Sequence, residues 1–270
     1  MLLMGQMIRR LALVLCLLLP CSLPAVGLAG QVRVAVAANF MEPAQEIATA
    51  FKAQTGSTVT LSPGSTGQVY TQLAHGAPYE VFLSADAEHP ARALADGLAT
   101  PGSRFTYALG RIVLYSTQSG LVDGRGAVLS KGSFNKLALA DPATAPYGQA
   151  AVETLRKLGV YDRLSPKLVT GVSITQAFQF VETGAADLGF VALSQVIHRP
   201  GGSRWLVPTT AHSPIVQQAV LLKTGEHNPA ARSFLAYLKS AKARAIMASY
   251  GYQVPGPCWR SSGQLYGWRL

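Results

Sequence analysis

Val32-Arg33-Val34-Ala35-Val36-Ala37 runs without a break into Ala38-Asn39-Phe40 and then into the stretch from Met41 to Phe51. The first six residues are an apolar run of strand length, interrupted only by Arg33, and read as a buried strand. Ala44, Ile47, Ala48 and Phe51 then recur at the three- and four-residue spacing of one helical face. Working outward, Thr58 to Leu61 gives a second strand. The turn-rich Ser62-Pro63-Gly64-Ser65-Thr66-Gly67 leads into a short helix through Val69, Tyr70 and Leu73, and Glu80 to Leu83 gives a third strand. This βαβαβ order predicts an α/β fold, a mainly parallel sheet flanked by helices.

A second series of the same kind begins at Arg111 to Tyr115. It continues with strands at Leu137 to Ala140, Lys167 to Thr170 and Leu188 to Val191, and with helices from Tyr147 to Leu158 and from Ile174. Two sheet-building series in one chain predict two lobes. Pro214 to Leu222 reads as a late strand and Pro229 to Tyr250 as helical. With no third sheet to join, both are expected back in the first lobe. The expected division is residues 30–108 plus 209–254 for the first lobe and 109–208 for the second. Residues 255–270, opened by Pro255-Gly256-Pro257 and carrying Trp259, Tyr266 and Trp268, form an extension expected to be disordered or loosely docked.

At the other end, Arg9-Arg10, the apolar run from Leu11 to Leu19 and the small residues Gly27 and Ala29 have the order of a secretory signal. Residues 1–29 are expected to be removed on export. The apolar run is shorter than the ~20 residues of a spanning helix, and Pro20 stands before Cys21 where a lipid-anchor signal has a small residue. Cys16 and Cys21 leave with the signal, so Cys258 alone remains and no internal disulfide can form. The full chain has 23 Lys and Arg against 13 Asp and Glu; without Arg9 and Arg10 the balance is 21 against 13, a net charge of +8. That excess favours anionic partners. The basic residues are scattered singly, with no stripe interleaved with aromatics, which argues against nucleic acid.

The sequence carries neither a G-x-S-x-G elbow nor the Gly-rich Lys-Ser/Thr loop of nucleotide binding. His75, His89, His198, His212 and His227 lack metal-ligand spacing. Asp86 and Asp141 stand beside strand ends, where a carboxylate caps a turn or helix. No catalytic residue, cation ligand or cofactor is therefore expected, and an exported α/β hydrolase is the weaker alternative.

In open parallel sheets, ligands bind beyond the carboxyl ends of the strands, where loops enter helix N-termini. That rule selects Ala38-Asn39, Ser65-Thr66-Gly67, Tyr147-Gly148 after Asp141-Pro142, and Ser173-Ile174 after Val172. Each segment can aim unpaired N–H groups and a helix dipole at one point, and none contains lysine or arginine. A doubly charged tetrahedral anion offers only acceptors. Asn39, Ser65 and Thr66 could supply side-chain donors, and Tyr147 and Ile174 main-chain donors. At ~1.5–3 kcal/mol each, six to eight such bonds give roughly 10–20 kcal/mol, against an association cost of ~4–15 kcal/mol. The same residues also have ordinary structural readings: Asn39 as a cap, Ser65 and Thr66 as a turn, Tyr147 as packing.

Five stretches together resemble the periplasmic molybdate-binding proteins of bacterial ABC importers. They are Val36-Ala37-Ala38-Asn39-Phe40; Pro63-Gly64-Ser65-Thr66-Gly67-Gln68; the run from Gly76 to Asp86; Ala140-Asp141-Pro142 with Pro146-Tyr147-Gly148; and Phe180-Val181-Glu182-Thr183-Gly184 with the run from Leu188 to Ser194. The resemblance spans about Val32 to Val254 and implies a type II periplasmic-binding-protein fold, its two lobes joined by a hinge. It implies a monomeric receptor that closes on molybdate or tungstate and delivers it to a membrane permease, with molybdenum held as an oxyanion. The family's ligand positions fall on Asn39 with Ala38 beside it, on Thr66 with Ser65 beside it, and on the N–H groups of Tyr147 and Ile174. In three places the sequence departs from some members: Ala192 replaces a ligand-contacting tyrosine, Asn39 a serine, and Gly67 a third hydroxyl residue. Sulfate is the nearest rival ligand, because it shares molybdate's charge and shape and differs in size.

Overall fold

The computed structural model describes residues 30–256; the expected signal, Cys258 and all but the first two residues of the extension lie outside them. The opening run forms β1 (Gln31–Ala37) and the helical face forms α1 (Met41–Thr55), with one turn of 3-10 helix, Ala38–Phe40, between them. The first lobe continues through β2 (Thr58–Gly64), α2 (Thr66–Ala74), β3 (Val81–Ser84), α3 (Glu88–Ala95) and β4 (Phe105–Gly110). The second contains β5 (Ile112–Ser116), α4 (Ala127–Lys131), β6 (Leu137–Ala140), α5 (Pro146–Lys157), α6 (Tyr161–Leu164), β7 (Leu168–Gly171), α7 (Ile174–Glu182), β8 (Leu188–Ala192), α8 (Leu193–Val196) and β9 (Ser203–Leu206). The chain then returns through β10 (Ile215–Leu221), α9 (Pro229–Tyr237) and α10 (Ala241–Ser249).

Two five-stranded sheets result, ordered β2-β1-β3-β10-β4 and β7-β6-β8-β5-β9. Each has a parallel core, β1 between β2 and β3 in one and β6 between β7 and β8 in the other. Each also has two antiparallel pairings, made by β10 with β3 and β4 and by β5 with β8 and β9. Four strands of each sheet thus run the same way, which makes both mainly parallel as the sequence predicts, and β10 and β5 are the reversed ones. The cause is the way the chain changes lobe. Only Arg111 separates β4 from β5, so no crossover helix intervenes to turn the chain, as a parallel connection requires.

Three other details depart from the sequence reading. Strands β4 and β9 and the short helices α3, α4, α6 and α8 were not anticipated. Strand β2 extends through Pro63 and Gly64, which had read as turn; β2 is an edge strand, where proline's missing N–H is tolerated. The helical stretch from Pro229 to Tyr250 is two helices, because the Ser240 side chain accepts a hydrogen bond from Ala243 N–H and so starts a new one.

The first lobe's core lies where α1, α9 and α10 meet the β1 face of the sheet, with Phe51 fully buried between Phe234 and Tyr237. The second lobe's core includes Leu114, Leu137, Leu155, Val181 and Phe190, and Ala37, Ala38 and Ala85 of the first lobe join it. The lobes therefore touch through the small residues at the ends of β1 and β3. Phe51→Ala is expected to lower the unfolding free energy by about 3–5 kcal/mol in urea titration, from lost transfer energy and a residual cavity.

Candidate functional site

All four turns selected from the sequence lie at the crevice between the lobes, and Ala38, Asn39, Ser65, Thr66, Tyr147 and Ile174 are all buried. Two contacts tie them across it: Tyr147 Oη lies 3.4 Å from Asn39 Nδ2, and Gly67 N–H donates to Thr144 O at 2.9 Å. Helix α7 also packs against the 3-10 turn that carries Asn39.

Local sequence explains why these turns keep donors free. Thr66, Tyr147 and Ile174 occupy the first turn of α2, α5 and α7, where no carbonyl lies one turn back to accept their N–H groups. None of the three N–H groups donates elsewhere among the described residues, nor does that of Asn39. Pro146 at the first position of α5 gives up no useful donor. Gly148 behind it lets α5 start against the end of β6, because a β-carbon there would run into the Ala140 carbonyl. In α7, Ser173 Oγ accepts from Gln176 N–H, and Gln176 Oε1 accepts from Val172 N–H at 2.7 Å, which leaves Ile174 N–H unused.

The side-chain donors divide differently from the sequence expectation. Ser65 Oγ is buried and has no hydrogen-bond partner. Thr66 Oγ1 accepts from Ala85 N–H at 3.1 Å, so its lone pair is engaged and its proton is free to point elsewhere. Asn39 Nδ2, expected to face a ligand, instead donates to Gln217 Oε1 at 3.0 Å and to Tyr252 Oη at 2.9 Å. What Asn39 offers the crevice is its main-chain N–H.

Asn39 thereby anchors a buried polar hub. Gln217, with no exposed surface, donates from Nε2 to Tyr147 Oη at 3.2 Å and accepts from Tyr107 Oη at 2.8 Å. The Asn39 carbonyl accepts from Tyr252 Oη and from Ser194 Oγ, each at 2.8 Å. Tyr147 and Ser194 belong to the second lobe and the other members to the first, so the hub spans the crevice. Burial pushes the phenols of Tyr107 and Tyr147 well above the usual tyrosine value. Burial also raises that of Tyr252, to about 12, against the opposing effect of its hydrogen bonds to Ser194 and Asn39. The phenols are therefore neutral at neutral pH.

Beside the hub, a cavity of about 180 Å³ is lined by Asp86, Gln149, Glu153 and Ser213 among others. Glu153 Oε2 accepts from Ser213 N–H there, and Asp86 faces His89. Two carboxylates make that space unsuited to an anion. Among the described residues, no cluster of three or more His, Cys, Asp or Glu side chains could hold a metal ion.

The chain matches the family model of the bacterial extracellular solute-binding proteins over residues 32–253. It is 53% identical to the molybdate-binding protein ModA of Rhodobacter capsulatus over 247 residues, 92% of this chain and 97% of that protein. It belongs to the ModA family. The ModA of Azotobacter vinelandii is 51% identical over 227 residues, 83% of this chain and 90% of its own length. The solved periplasmic molybdate-binding protein of that organism superposes with a TM-score of 0.82 at 43% identity, covering 83% of this chain and 100% of its own. The two-lobed α/β fold is thus that of a ModA-family solute-binding protein.

In this ModA-family chain, Tyr107, Ser194, Gln217 and Tyr252 are the residues that sequence reasoning missed. One signal was available: Gln217-Gln218 interrupts an otherwise apolar strand, Ile215 to Leu221. Ala192 ends β8 fully buried, its N–H donating to Gln195 Oε1. The hub makes a prediction about alkali. Tyrosine titrates near 10 when unfolded and higher when folded here, so the folded state holds the proton longer. This contribution to stability is fully present below pH 10 and is lost between about pH 10 and 12, at about 1.4 kcal/mol per pH unit for Tyr252. Urea unfolding repeated across that range should show a shallower decline in Tyr252→Phe than in the wild type.

Proposed function

We propose that this ModA-family chain is a periplasmic, monomeric receptor for molybdate or tungstate that delivers its cargo to the permease of an ABC importer. It performs no chemistry on the anion, needs no cofactor and has no nucleic-acid partner. The observation that carries this reading is the set of donors with no use among the described residues. Ser65 Oγ is buried without a partner, and around the same crevice stand the unengaged N–H groups of Asn39, Thr66, Tyr147 and Ile174. Buried donors left in this state each cost about 1–3 kcal/mol, so their persistence calls for an acceptor.

A tetrahedral dianion supplies that acceptor on every side. With no lysine or arginine in the four turns, its charge is balanced by oriented dipoles, which the N-termini of α2, α5 and α7 provide. Hydrogen phosphate would set its own O–H against a donor and lose a bond. Sulfate carries only acceptors, as molybdate does, and is separated from it by size alone. The 53% identical relative is named for molybdate, which supports the larger ion. The moving units are residues 30–108 with 209–254 and residues 109–208, which follow export directed by residues 1–29.

Thermal unfolding with sodium molybdate, tungstate, sulfate and phosphate tests the assignment. An excess of 100 times the dissociation constant stabilises the protein by ~2.7 kcal/mol, so molybdate and tungstate should raise the melting temperature clearly and phosphate should not. A sulfate response equal to that of molybdate would transfer the assignment to sulfate. Ser65→Ala is the cleanest variant, since the hydroxyl has no protein partner to lose. It should weaken molybdate by roughly 10- to 150-fold and leave the melting temperature of the unliganded protein unchanged or slightly raised, since an unsatisfied buried hydroxyl is removed. Thr66→Val is less clean because it strips an acceptor from Ala85 N–H.

A further inference from the structure

Gly67 is the second residue of α2, and its backbone is not in the left-handed region that calls for glycine. Alanine is the better helix former at such a position, so the reason for glycine lies outside the helix. It lies across the crevice. Gly67 N–H donates to Thr144 O at 2.9 Å, joining the first turn of α2 to the loop that leads into α5. A β-carbon on Gly67 would stand 3.2 Å from both the Cα and the carbonyl oxygen of Thr144 and 3.4 Å from its Cβ. Contacts that tight require the neighbour to give by a few tenths of an ångström. Here two of the three neighbouring atoms are backbone of the opposite lobe, so giving way means holding the lobes apart. Thr144 Oγ1 is buried without a partner at the same seam, which marks the contact as closed to water.

We propose that Gly67 is the gauge that sets how closely the lobes shut, and through that spacing the size of the tetrahedral anion that the donors grip. The proposal rests on the receptor reading above. The gauge acts directly on the site because Gly67 adjoins Thr66, and Thr144 lies three residues before Tyr147. The gap between these two loops is therefore the gap between two of the anion's donors. A few tenths of an ångström added there would lengthen hydrogen bonds on both sides of the ion at once. On the receptor reading the empty lobes separate, which would part Gly67 from Thr144, so a side chain at position 67 would act on the closed state alone.

The test is a graded series, Gly67→Ala and Gly67→Val beside the wild type. Calorimetry with sodium molybdate, stopped-flow dissociation of the bound ion and melting of the unliganded protein would be measured for each. Gly67→Ala should weaken molybdate by at least about tenfold, from crowding plus the loss of the clasping bond, and Gly67→Val should weaken it further. The loss should appear as faster dissociation, because closure follows encounter. Unliganded Gly67→Ala should melt at or slightly above the wild-type temperature. The proposal is overturned if Gly67→Ala binds as tightly as the wild type, or if its weaker binding is matched by a lower melting temperature of the unliganded protein. Wild-type protein that gives no heat with molybdate would instead overturn the receptor reading, and this inference with it.

Discussion

A dianion enclosed without a countercharge has to be held by hydrogen-bond donors that nothing else in the protein uses. That constraint runs against the usual rule that buried polar groups find partners. In the site proposed for this chain, geometry rather than charged side chains meets it. A helix's first turn cannot satisfy its own N–H groups, and three such turns open onto one crevice beside the 3-10 turn of Asn39. The two sheets matter to function chiefly because they end strands and start helices at that place. Gly148 shows the local cost of the arrangement, since the start of α5 lies so close to β6 that no side chain fits there.

The hub of Asn39, Gln217, Tyr107, Tyr147, Tyr252 and Ser194 is the complement of the donor set. Its members satisfy one another, as a buried polar network must if it is not to destabilise the fold. It also draws from both lobes, so it forms in full only when they meet. Tyr147 belongs to both systems, with its phenol in the hub and its main-chain N–H at the crevice. On the proposed reading, lobe closure and presentation of a donor are coupled through this one residue, as expected of a receptor whose ligand shifts it between two populations.

Much of this was legible in the sequence, and the legible part has a common cause. The apolar runs and helical spacing from Val32 to Phe51 and from Leu137 to Leu158 placed the strands and helices. The strand-end rule then picked the four turns without reference to tertiary contacts. The missed part is long-range. Asn39 reaches Gln217 and Tyr252 across 178 and 213 residues of sequence, and no local pattern announces such a pairing. Hence Asn39 was given a ligand-facing amide that the fold uses elsewhere. The reversal of one strand per sheet was hidden for a related reason: a parallel connection needs a crossover helix, and the passage from β4 to β5 through Arg111 has none. Gly67 was noticed as a departure from relatives, but its contact with Thr144 exists only once the lobes are side by side.

The central claim is that uncharged donors alone hold the ion, and a crystal structure of the molybdate complex tests it most directly. The account predicts oxyanion oxygens within hydrogen-bonding distance of Ser65 Oγ and of the N–H groups of Thr66, Tyr147 and Ile174, with no lysine or arginine side chain in contact. Molybdate paired with a guanidinium or ammonium group, or seated away from those turns, would contradict it.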